Sequence, residues 1–73
     1  MQFKFKRHQD VILKSSPHLD YIEWYEDPQP INPGTKGKIN LILSNGRYHV
    51  QIIDDKGETI AYAAMDEEQL EAA

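Results

Sequence analysis

Apolar side chains recur at every second position over most of this chain, and sustained period-two spacing marks strands. Phe3, Phe5, Val11 and Leu13 share one parity, which predicts a strand over about 10–15, with the two phenylalanines extending it or lying across the fold as core. Ser15, Ser16 and Pro17 end it. A second run, Lys38 to Leu43, sets Ile39, Leu41 and Leu43 on one face and Ile42 on the other. Ser44-Asn45-Gly46 follows, and Asn-Gly between two β-like runs marks a tight hairpin, because both central positions of a type I′ turn take positive φ. The partner strand runs from Arg47 to Ile53, with Tyr48, Val50 and Ile52 inward and Arg47, His49 and Gln51 outward. A turn at Asp54-Asp55-Lys56-Gly57 leads to a strand from Glu58 to Ala64, where Ile60, Tyr62 and Ala64 alternate with Thr59, Ala61 and Ala63. Asp66-Glu67-Glu68-Gln69 has the form of a capping box opening one helical turn, anchored by Leu70. The small Ala72-Ala73 end is expected to fray.

Residues 16–33 break this regularity. Pro28, Pro30 and Pro33 forbid a regular helix or a central strand there. Leu19 and Ile22 have helical spacing, enough for one short turn. A loop of this length in so small a domain is uncommon and often functional. Pro33-Gly34-Thr35-Lys36-Gly37 is a turn by composition and opens the next strand. The order is then strand, long loop, three strands joined by tight turns, and a helical turn. It predicts a mainly β fold, a small barrel or sandwich of four to five antiparallel strands, as a single domain over 1–73.

Composition narrows the chemistry. The chain has 73 residues, 40% of them apolar, and no cysteine, which excludes disulfides, thiolate zinc sites and thiol nucleophiles. Met1 to Arg7 is charged, with no following apolar stretch to make a leader, and no run approaches the roughly 20 apolar residues of a membrane span. A soluble, cytoplasmic protein is expected. The net charge of −4 is unevenly placed. Lys4, Lys6, Arg7 and Lys14 face only Asp10 in the first segment, whereas Asp54, Asp55, Glu58, Asp66, Glu67, Glu68 and Glu71 face only Lys56 in the last. That balance argues against broad contact with a phosphate backbone and for a basic partner.

Asp10-Val11-Ile12-Leu13, Gly34-Thr35-Lys36-Gly37-Lys38-Ile39, Tyr48-His49-Val50 and Asp55-Lys56-Gly57-Glu58-Thr59-Ile60-Ala61, closing with Gln69-Leu70, follow one another in a suggestive order. Together they resemble a family of short, uncharacterised bacterial proteins with an SH3-like, KOW-like barrel. The resemblance covers most of the chain outside 16–33 and implies fold more than function. It implies an SH3-like barrel with a long first loop and a short C-terminal helical turn. Small bacterial, plasmid and phage proteins of this type are often interaction partners or inhibitors. The longer, aromatic and acidic first loop departs from the family pattern.

That loop carries the candidate binding residues: Tyr21, Glu23, Trp24, Tyr25, Glu26 and Asp27. Exposed Trp and Tyr supply contact area at low entropic cost, and carboxylates orient a basic or proline-rich protein partner. The competing reading folds Trp24 and one tyrosine back as a lid on the barrel end; in the binding reading, Trp24→Ala removes binding and spares stability. Pro30-Ile31-Asn32-Pro33 also has the P-x-x-P spacing of a ligand. His8, His18 and His49 lack metal-ligand spacing, so surface histidines and no metal or cofactor are expected. No serine or threonine sits in a nucleophile elbow, and no glycine loop opens a helix to cradle phosphate. The expectation is a non-enzymatic protein-interaction module, an inhibitor or accessory factor of a bacterium, plasmid or phage. Two alternatives stand beside it: a nucleic-acid-associated barrel using Lys4, Lys6, Arg7, His8 and Lys14 with the two phenylalanines, and an acidic mimic of nucleic acid.

Overall fold

The computed structural model describes residues 3–73; Met1 and Gln2, which open the segment considered above as a leader, lie outside the described residues. Among the described residues six strands form: β1 Asp10–Leu13, β2 Ile22–Trp24, β3 Lys36–Ile42, β4 Tyr48–Ile53, β5 Thr59–Met65 and β6 Leu70–Ala72. They make one antiparallel sheet in the order β2-β5-β4-β3-β1-β6, which is not closed, since its two end strands do not pair. Four of these strands lie where the alternation predicts them. The count exceeds the expected four to five because β2 and β6 have three residues each, too few for a periodic signal.

Both extra strands form where irregular chain was expected. β2 lies inside the proline-bearing stretch, upstream of Pro28, and pairs Ile22, Glu23 and Trp24 with Ala63, Tyr62 and Ala61 of β5. β6 occupies the tail that was expected to fray. Leu70 is fully buried, Ala72 pairs with Val11, and the Ala73 N–H donates to the Asp10 carbonyl at 3.1 Å. Burying Leu70 brings the residues after it alongside β1, whose second edge is otherwise unpaired.

The core is one contiguous cluster. β1 supplies Val11 and Leu13, β4 supplies Tyr48, Val50 and Ile52, and β5 supplies Ala61, Ala63 and Met65. Two bulges set these faces. The β3–β4 register shifts between Ile39 and Leu41, leaving Asn40 as the extra residue. Past a bulge the side-chain parity inverts. Leu41 therefore turns outward, 44% exposed, and Ile42 packs against the core, the reverse of what unbroken alternation predicts. The second shift pairs Ile52 with Ala61 and Ile53 with Thr59, so Ile60 is the extra residue and Tyr62 stands on the outer face. Ala61 and Ala63 are small where β2 lays Trp24 and Ile22 beside them.

Residues 3–9 make no strand. Phe5 is buried edge-on against Tyr48, ring centroids 5.4 Å apart, and the Tyr48 hydroxyl accepts from the Lys4 and Phe5 N–H groups at 3.1 and 3.3 Å. Phe3 remains 49% exposed, which corrects the expectation that both phenylalanines are core. Of the long loop, Leu19–Tyr21 forms a 3₁₀ turn, as the Leu19–Ile22 spacing allows. Ile31 is buried, the Ser16 hydroxyl donates to its carbonyl at 2.7 Å, and the Gly34 N–H donates to the Leu13 carbonyl at 2.7 Å. The P-x-x-P stretch is thus tied into the fold through Ile31, while Pro30 and Pro33 remain exposed. Before β6, Glu67–Gln69 makes a second 3₁₀ turn with its capping box, Gln69 Oε1 accepting from the Asp66 N–H at 3.0 Å. The Gln69 amide also donates to the Ser15 hydroxyl and the Ser16 carbonyl, at 3.2 and 3.3 Å, stitching this turn to the end of β1.

Candidate functional site

β2 divides the candidate residues by its own period. Ile22 and Trp24 point to the core, where both are half-buried against it, and Glu23 points to the outer face beside Tyr62. Tyr21, Tyr25, Glu26 and Asp27, flanking the strand, are exposed. Trp24 accordingly departs from the other five. With Pro17, Leu19, Pro30 and Ile31 it lines a separate groove of about 230 Å³ on the loop side.

On the outer face three small constellations run along β2. The first is built on Arg47, whose guanidinium carbon lies 4.8 Å from the Tyr21 ring centroid while its Nε donates to Asp66 Oδ1 at 3.1 Å. Its pKa is pushed above the ordinary arginine value, chiefly by Tyr21 and secondarily by Asp66. The His18 ring is tilted by 39° to the Tyr21 ring, with the centroids 5.1 Å apart. The second centres on His49. The Asn40 amide donates to its Nδ1 at 2.9 Å, which leaves the proton on Nε2, 3.4 Å from Glu23 Oε1. Its ring stacks on Tyr62 at 5.2 Å with a 10° interplanar angle. Asn40 follows Ile39, whose partner is Val50, and so lies on the outer face next to His49.

The third is a recess of about 420 Å³ lined by Tyr25, Glu26, Glu58, Thr59 and Tyr62. The Tyr25 N–H donates to the Ile60 carbonyl at 3.0 Å, extending the β2–β5 ladder and fixing the backbone under a side chain that is 70% exposed. Glu58 follows the turn in which Asp54 Oδ1 accepts from the Lys56 and Glu58 N–H groups, both at 2.9 Å. Neither Glu26 nor Glu58 has a cationic partner among the described residues. Period-two alternation already turns His49 and Gln51 outward. The adjacency of Glu58, Thr59 and Tyr62 to the first loop was not readable, because it follows from β2 joining β5, a pairing across about forty residues.

Among the described residues no three His, Asp or Glu side chains converge as a metal site, and no helix is long and apolar enough to cross a membrane. The chain is thus a small, mainly β protein whose open six-stranded sheet bears a polar, aromatic outer face. Comparison with protein-family models, with curated proteins and with solved structures finds no match.

Proposed function

We propose that this chain is a non-enzymatic protein-interaction module of SH3-like architecture, an inhibitor or accessory factor, that meets its partner with the outer edge of β2 and the residues flanking it. The architecture is supported by the five strands other than β2, ordered β5-β4-β3-β1-β6, with the long connection after the first and a 3₁₀ turn before the last. The observation that carries the function is Tyr25: a large aromatic, 70% exposed, on backbone held by a ladder hydrogen bond and flanked by exposed carboxylates. Rigid aromatic side chains at an exposed site bind at low entropic cost and dominate interface energies. A basic or proline-rich protein is the partner this chemistry suits.

The test is affinity capture from a lysate of the source cell with wild type and Tyr25→Ala, fold being checked by circular dichroism. A protein retained by the wild type and lost by the variant supports the module. Equal recovery by both removes this surface from consideration. A second reading, nucleic-acid binding through the N-terminal segment, is favoured by exposed Phe3 beside exposed Lys4, Lys6 and Arg7. Its mark is a gel shift that weakens steeply with salt.

A further inference from the structure

We infer that the recess between β2 and the β4–β5 turn is a receptor for one cationic side chain, a lysine or arginine presented by a partner protein. The inference rests on the interaction-module reading and names the chemistry that its surface recognises. Two elements far apart in sequence bring Glu26 and Glu58 to the same depression, and neither has an ion-pair partner among the described residues. Two carboxylates alone would attract only mobile counterions. The remaining lining makes the difference, since Tyr25 and Tyr62 add aromatic surface, and a ring face attracts an ammonium or guanidinium by its quadrupole. Tyr62 is preorganised for this. One face of its ring is stacked on His49, which Asn40 and Glu23 hold in turn, so the ring does not have to be ordered on binding. The chain already places a cation over a tyrosine elsewhere, Arg47 on Tyr21, with a carboxylate completing the group. At the recess the tyrosines and carboxylates are present, and no cationic side chain lines it among the described residues.

The experiment titrates an acetylated, amidated Gly-Arg repeat peptide into the 15N/13C-labelled full chain, with the citrulline peptide of the same sequence as the neutral isostere. The expected result is that Tyr25 and Tyr62 ring signals shift with the arginine peptide and not with citrulline. Glu26→Gln combined with Glu58→Gln should weaken binding by about fivefold or more, as should Tyr25→Leu, each with an unchanged amide spectrum elsewhere. Three results would overturn the inference: no ring shifts up to millimolar peptide, equal shifts with citrulline, or shifts centred on Glu67, Glu68 and Glu71. Each of these leaves the module reading to its own capture experiment, where Tyr25→Ala can still lose a partner that is not basic.

Discussion

At Gly37 a Cβ would stand 2.9 Å from Val50 Cγ1, 3.1 Å from Leu13 Cδ1 and 3.2 Å from the Gln51 carbonyl oxygen. The last of these is backbone in a paired strand and cannot step aside. Gly37 is therefore a packing residue, the place where β1 and β4 side chains meet across β3. Gly37→Ala should cost about 1–3 kcal/mol, read as a lower urea midpoint with an unchanged slope. Gly46 has a different reason: nothing lies within 4 Å of its absent Cβ, and its φ of +84° closes the hairpin. Asn45 does not share that positive φ, so the predicted type I′ turn is replaced by a three-residue loop, Ser44 to Gly46, with the left-handed position at Gly46 alone. The Asn-Gly dipeptide announces the second kind of glycine. Nothing in Thr35-Lys36-Gly37-Lys38 announces the first, since the close approach comes from residues of two other strands.

Among the elements, β2 is the one whose placement changes a functional expectation. With Trp24 packed against the core, Trp24→Ala is a test of stability before it is a test of binding. Half-buried against Ala61 and the core, Trp24 should cost about 2–3 kcal/mol on truncation, below the range of a fully buried Trp. Tyr25→Ala should remain within about 0.5 kcal/mol of wild type, as exposed substitutions do. Chemical denaturation of the two variants side by side checks this, and the reverse order of stabilities would mean that β2 is not docked on β5. The six aromatic and acidic residues of the first loop were legible as a group. Their separation into one core-facing and five surface positions was not, because a three-residue strand has no period to read.

For the whole molecule, β6 joins the two ends of the chain. β1 is held between β3 and β6, and the 3₁₀ turn before β6 is bonded to Lys14, Ser15 and Ser16. Leu70→Ala should therefore cost about 2–5 kcal/mol, a large part of the roughly 5–15 kcal/mol of a typical domain. Amide exchange at Lys14, bonded to the Gln69 carbonyl, and at Ala73, bonded to the Asp10 carbonyl, should accelerate together. Acceleration confined to Ala73 would mean that β6 is a frayed end after all. The charges matter less at this scale. Lys38–Asp10 at 3.7 Å and Arg47–Asp66 at 3.1 Å are solvent-screened surface pairs, a kind that adds little to stability.

Alternation and turn chemistry were enough to place β1, β3, β4 and β5, the Asn-Gly hairpin, the inward Tyr48-Val50-Ile52 face and the Gln69 capping turn. Each of these is specified by neighbours within a few residues, through pleat, positive φ or local hydrogen bonding. Only the tertiary structure decided the rest. Whether Leu41 or Ile42 faces the core depends on one bulge, and a bulge depends on how two strands match in length and twist. Whether 22–24 and 70–72 are strands depends on free edges at β5 and β1, which sequence-local signals do not see. The Tyr25–Tyr62 recess belongs to that second group, since its walls come together only when the first loop finds an edge near the other end of the chain.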